Sequence, residues 1–261
     1  MSEIRKLRHL GVLALACVSA TVTACGTSSG VTAEPAPSSP VTSPSGSPSG
    51  AAPTPTGEVS ATPSPEASST PEPPAFTSKV SEVTAGQLKS SWRPGCPVSP
   101  ESLRKVTLTY WGFDDKAHTG ELIVNRGVTA DVVAQFKQLY EWRYPIARMV
   151  PIDAYKGSDF DSIEADNTSA FNCRRTTGAS SWSKHSYGRA IDINPRENPW
   201  VEPDGSVAHD NARKFAKRPL HKPGVINADD RVVKLFEKYG WEWGGYFNGA
   251  KDYQHFAKGG G

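Results

Sequence analysis

The segment 26–75 sets the limits on what this chain can fold into. Forty-three of its 50 residues are Gly, Ala, Ser, Thr or Pro, it has no Lys or Arg, and it holds 12 of the chain's 22 prolines. Such a composition cannot bury enough apolar surface to offset the entropy of ordering, so residues 25–75 read as a disordered, extended tether. As a flexible coil a tether of this length spans ~40 Å, and as polyproline helix ~150 Å. All seven Trp lie beyond residue 90. Residues 76–261 are therefore expected to form one ordinary domain, long enough to bury a core.

That domain carries 26 Lys and Arg against 22 Asp and Glu, with no run of four or more basic residues. Nucleic acid is therefore not an expected partner. The one long apolar stretch, residues 10–24, is too short at ~22 Å to cross a ~30 Å hydrocarbon core. With Arg5, Lys6 and Arg8 ahead of it, it reads as a secretory signal. Cys17 lies inside it and leaves with it. In an exported protein the two cysteines of the domain, Cys96 and Cys173, are expected to pair as a disulfide.

Hydrophobic periodicity predicts mixed structure. Residues 105–113 alternate with Val106, Leu108 and Tyr110 on one face, and 121–125 read as a second strand. Thr129 is expected to cap a helix carrying Val132, Val133, Phe136, Leu139 and Tyr140, stopped by Pro145. Residues 146–152 read as a short strand and the polar stretch 153–169 as a surface loop. In 190–194, Ile191 and Ile193 face away from Asp192. Asp229 or Asp230 caps a second helix, closed by Gly240, and 241–243 and 253–256 read as final strands. Strands and helices without regular βαβ alternation imply an α+β fold, a single domain with a central antiparallel sheet flanked by helices.

The chemistry-bearing stretches are 183–194 (SKHSYGRAIDIN) and 252–256 (DYQHF). They offer two His and a carboxylate, the three protein ligands of a catalytic zinc, and a further carboxylate to move a proton. By residue type alone this is a weak signal, because a His near an Asp is common. A regular strand through both Asp252 and His255 would turn them to opposite faces, so Asp252 must lie in a turn before the strand. Asn248, Gly249 and Lys251 suit such a turn. His118, His209 and His221 sit in polar surroundings and read as solvent-exposed. Glu242 is a rival base that strand alternation can turn outward. Trp182, Trp200 and Trp243 suit a glycan or peptide groove and equally an ordinary core. No G-x-S-x-G elbow accompanies residues 180–183, which argues against a serine hydrolase.

The pattern Ser-x-His-x-x-Gly-x-Ala-x-Asp, followed some sixty residues later by Asp-x-x-His, resembles the zinc D-alanyl-D-alanine carboxypeptidases and L-alanyl-D-glutamate endopeptidases of cell-wall metabolism. That family includes the D,D-carboxypeptidases of vancomycin resistance and shares its core fold with the hedgehog signalling domain. Residues 167–174 (NTSAFNCR), Asn194-Pro195, Asn198-Pro199 and Trp243-Gly244-Gly245 extend the resemblance over roughly 122–256. The resemblance implies Zn2+ held by His185, Asp192 and His255, with Asp252 as general base and Arg174 at the oxyanion or substrate carbonyl. Arg175 is the rival for that last role. Ser183 would contact substrate or support a ligand, and Gly188 would permit a tight turn between ligands. The family often has Glu where Asp252 stands, though Asp is common in its endopeptidase branch. The implied substrates are peptidoglycan stem peptides, cut at D-Ala-D-Ala or alternatively at L-Ala-D-Glu. The positive charge of Arg174, Arg175 and Lys184 suits a free C-terminal carboxylate and hence the first. A non-catalytic zinc-containing module is a further alternative on this fold.

At the other end, Val22-Thr23-Ala24-Cys25 resembles the lipobox of bacterial lipoproteins. It implies a signal peptide over 1–24 and lipidation of Cys25. The domain would then sit in the cell envelope, outside the cytoplasm, anchored to the membrane through that lipid.

Overall fold

The computed structural model describes residues 74–259. The expected signal peptide, the lipidation site Cys25 and nearly all of the tether lie outside the described residues. Among the described residues, no helix is long and apolar enough to cross a membrane.

Mixed helix and sheet is what the structure contains. The expected central sheet is instead divided among four small ones. The largest joins β1 (Ser78–Glu82), β2 (Leu103–Trp111) and β3 (Ala117–Asn125) in an antiparallel meander, with Val106 opposite Leu122. Alternation along β2 and β3 sends Val106, Leu108, Leu122 and Val124 to the main core, and Ile123 to a second cluster with Leu88 and Phe171. Helix α1 (Thr129–Glu141) lays Val132, Phe136 and Leu139 on the main core. Its N-cap is Val128, one residue before the expected Thr129. The Thr129 hydroxyl instead donates to the Arg126 carbonyl at 3.1 Å from within the first turn.

Beyond α1 the elements are short. Strand β4 (Arg148–Met149) occupies two residues of the longer strand expected over 146–152. It pairs in parallel with β5 (Asn167–Thr168). The stretch expected to be a bare loop contains a one-turn helical segment (Ile152–Tyr155) and helix α2 (Asp159–Glu164), capped by the Ser158 hydroxyl. Strand β6 (Ala190–Asp192) and β7 (Trp200–Val201) follow. Helix α3 (Arg231–Lys238) is capped by Asp230, whose carboxylate accepts from the backbone N–H groups of Val232 and Val233; Asp229 adopts a left-handed conformation outside it. Strands β8 (Trp241–Trp243), β9 (Lys251–Asp252) and β10 (His255–Lys258) complete the chain.

The second three-stranded sheet runs β6-β10-β8, antiparallel throughout. Phe256 and Ile191 enter the same core as Phe236 and Trp241 of the α3 region, so this sheet shares its hydrophobic floor with the first. A disulfide joins Cys96 to Cys173 and ties the segment ahead of β2 to the chain that precedes the site.

Candidate metal centre and surrounding cavity

Antiparallel register brings two of the ligand candidates together. His255 opens β10 directly opposite Asp192, the last residue of β6, so both side chains leave the ladder on one face. The Asp192 carboxylate stands 3.0 Å from His255 Nδ1. Ile191 and Ile193, its neighbours in sequence, point into the core instead.

The third candidate comes from a tight turn. Ser183 caps the one-turn segment Lys184–Tyr187, its hydroxyl accepting from the His185 N–H at 3.3 Å. Gly188 ends that turn at φ +64°, where a Cβ would fall 2.6 Å from the Asn125 nitrogen. The left-handed backbone favours glycine, and the approach to β3 requires it. His185 Nδ1 lies 2.5 Å from the Ala170 carbonyl. An N–H donated there fixes the tautomer and leaves the Nε2 lone pair facing Asp192 and His255.

His185 Nε2 is 3.2 Å from Asp192 Oδ2 and 3.2 Å from His255 Nδ1. Asp192 meets the two rings through different oxygens, Oδ2 toward His185 and Oδ1 toward His255. Bonds of ~2.0–2.1 Å to a tetrahedral zinc put ligand atoms about 3.3–3.4 Å apart, and one ligand atom from each residue lies within 4.8 Å of the other two, so the donor set suits such an ion after small side-chain adjustments. All three residues are buried. Burial works against ionisation of Asp192, yet the two imidazoles outweigh it and hold the carboxyl well below the usual range. Burial likewise opposes protonation of His255, but its hydrogen bond to Asp192 prevails and raises its pKa.

Asp252 lies beside this cluster, its Oδ2 3.9 Å from His255 Nδ1. Its Oδ1 is buried and has no hydrogen-bond partner. Burial pushes its carboxyl up to about 6, with His255 opposing and Asp192 adding to the shift. The parity problem between Asp252 and His255 is solved by a break in the strand: Asp252 closes β9, a turn at 253–254 follows, and β10 starts at His255. Gly244 makes room for this turn, since a Cβ there would meet the Asp252 carbonyl at 2.5 Å and the Asp252 Cβ at 2.8 Å.

Arg174 reaches the same cavity, while Arg175 does not line it. The Ser186 hydroxyl clamps the Arg174 backbone to the His185 turn, accepting from its N–H at 2.9 Å and donating to its carbonyl at 2.6 Å. Arg175 stacks over Trp182 at 3.7 Å and donates to the Ser180 carbonyl. The positive charge expected around the site is thus tied down. Arg174 pairs with Asp159 at 3.0 Å, and Lys184 donates to the Gly259 carbonyl at 2.7 Å.

The cavity has a volume of about 800 Å³. Its walls include residues that sequence reasoning passed over: Asp159 and Phe160 of α2, Phe247 and Gln254. His209, expected in solvent, is buried, stacked on Phe160 at 4.4 Å and bonded to Glu164 at 2.7 Å. His118 lies partly exposed against Asp114, and His221 is exposed. Among the tryptophans, Trp243 is core, while Trp182, partly buried, and Trp200, exposed, both line the cavity. Glu242 points outward. The asparagines of the motif are structural: Asn198 bonds the carbonyls of Ile193 and Gly224 and accepts from Ile226, and Asn194 spans to Ala147 and Pro145.

A buried His-Asp-His donor set and a carboxylate with one unpartnered oxygen thus line a single cavity. Residues 177–258 match the protein family described as D-alanyl-D-alanine carboxypeptidase. The matched span contains His185, Asp192, Asp252 and His255, and begins after Arg174. The similarity supports a hydrolase of the peptidase type with a cell-wall association. No curated protein and no solved structure matches the chain.

Proposed function

We propose that the chain is a zinc peptidase acting on the peptide stems of peptidoglycan, with the terminal D-alanyl-D-alanine bond as its substrate. The observation that carries this reading is the unpartnered Oδ1 of Asp252 beside the buried His185, Asp192 and His255, which can each turn one ligand atom to within 4.8 Å of the other two. Zinc held by His185, Asp192 and His255 would supply Lewis acidity and a water acidic enough to ionise near neutral pH. Asp252 takes up a proton at Oδ1 and returns it to the departing amine nitrogen. The Arg174 guanidinium orients the scissile carbonyl and balances the negative charge that develops on its oxygen. The bond from His185 Nδ1 to Ala170 keeps the ring from rotating as charge moves.

One observation favours a second reading, cleavage of an internal L-Ala-D-Glu bond. A carboxypeptidase must hold a free carboxylate, and the cations lining this cavity, Arg174 and Lys184, already have partners. In either reading the sequence of residues 1–75 supports a domain carried outside the cytoplasm on a lipid at Cys25 and a long polar tether. Zinc analysis of the purified protein tests the metal assignment. One zinc per chain, lost in His185→Ala and in His255→Ala, is the expected result; equal zinc in all three proteins contradicts it.

A further inference from the structure

We propose that Trp200 and Glu202 form a subsite for a side-chain ammonium group, that of a diamino acid residue in the peptide bound across the cavity. The peptide nature of the ligand rests on the reading above; the charge and place of the recognised group rest on the geometry here. Trp200 stands opposite Asp252 in the β7–β9 register, so the two side chains leave the ladder on the same face and line the same cavity. Trp200 is 37% exposed. Its indole N–H donates to Glu202 Oε1 at 2.8 Å, which fixes the carboxylate against the edge of the aromatic plate.

Among the described residues, Glu202 has no Lys, Arg or His within ion-pair distance. Of the other acids lining the cavity, Asp159 pairs with Arg174 and Asp192 with both histidines, while Asp252 keeps one buried oxygen without a partner and lies 3.9 Å from His255 through the other. The nearby bases are engaged too, Lys184 by the Gly259 carbonyl and His209 by Glu164. The wall next to Asp252 therefore offers an aromatic face and an uncompensated negative charge. An ammonium group gains from both, by attraction to the ring quadrupole and to the carboxylate. A free carboxylate is repelled there, and a sugar ring uses the plate without the charge.

The test uses the full-length protein and stem pentapeptides in which Lys occupies each position in turn, compared with Nε-acetyl-lysine, which keeps the length and removes the charge. Binding is read by calorimetry on zinc-free protein and kcat/KM on the zinc-loaded protein. At one position the wild type should prefer Lys by about fivefold, the scale of an exposed cation–π contact. Glu202→Gln should lower that preference, the ring contact alone remaining, without changing the melting temperature, since Glu202 is exposed. Equal binding of both peptides by the wild type, or a preference undiminished in Glu202→Gln, overturns the subsite. So does tighter binding of peptide-free glycan that is lost in Trp200→Leu and unaffected by Glu202→Gln. Hydrolysis without ammonium preference sinks the subsite and leaves the peptidase reading intact. Ammonium-selective binding without hydrolysis of any stem peptide supports the subsite and contradicts the peptidase reading.

Discussion

Asp159 Oδ2 stands 3.0 Å from Arg174 Nη2, so an acid at the first residue of α2 holds the guanidinium that faces the His-Asp-His cluster. Both side chains are about one-third exposed, and such a pair adds at most about 1 kcal/mol to stability. Its consequence is orientation. Asp159→Asn should leave the melting temperature nearly unchanged and lower kcat/KM about tenfold through misplacement of Arg174, with Asp159→Glu restoring part of the loss. Unchanged kinetics would mean that the Ser186 clamp on the Arg174 backbone suffices.

Gly188 connects the His185 turn to β3 in a left-handed conformation that favours glycine, at an approach that leaves no room for a side chain. Gly188→Ala adds left-handed strain and a 2.6 Å clash with Asn125. Destabilisation of roughly 1–3 kcal/mol is expected, with weaker zinc binding as His185 shifts. Thermal unfolding and a zinc titration on the same variant check this; wild-type values in both would remove the turn from the account.

Glu197 gives the fold a pH dependence of its own. Burial, reinforced by the neighbouring Asp166 carboxylate, pushes its pKa up to about 7, against the opposing pull of Arg196. A carboxyl whose folded pKa lies above its unfolded value binds more protons in the native state, so stability is lost as pH rises from about 4.5 through 7. Glu197→Gln should therefore stabilise the protein at pH 8 and have little effect at pH 4. Denaturant midpoints at the two pH values decide it, and an equal shift at both would locate the effect elsewhere.

The Cys96–Cys173 bond closes a loop of 77 residues. In the chain-entropy account a loop of that length is worth roughly 4 kcal/mol. Cys96→Ser should lower the denaturant midpoint accordingly while leaving His185, Asp192 and His255 in place. A loss under about 1 kcal/mol would show that the core holds this segment unaided.

The stretches carrying His185 and Asp192 are legible in the sequence because their chemistry is local. Ser183, His185 and Gly188 belong to one capped turn, and Asp192 stands against two isoleucines whose period marks the strand. What the sequence hid depends on distant partners. Helix α2 has six residues, and the aromatic it presents, Phe160, is 57% exposed, so no apolar period announces it. His209 lies among polar neighbours in sequence and becomes buried only because Phe160 and Glu164, some 45 residues earlier, cover it. The basic residues near the site suggested a positive cavity, and their pairing with Asp159 and with backbone carbonyls is invisible to a sum over the chain. Strands of two or three residues, as in β7 and β9, are too short for alternation to register, which is why one central sheet was expected and four small sheets are present.

The most direct measurement is mass spectrometry of a muropeptide pentapeptide and its tetrapeptide incubated with the zinc-loaded protein and with Asp252→Ala. The account predicts loss of a single alanine from the pentapeptide, cut at least 10²-fold in a variant that still binds one zinc. Cleavage between L-Ala and D-Glu would reassign the scissile bond. Intact peptides with zinc at one per chain, or full turnover by Asp252→Ala, would contradict the central claim.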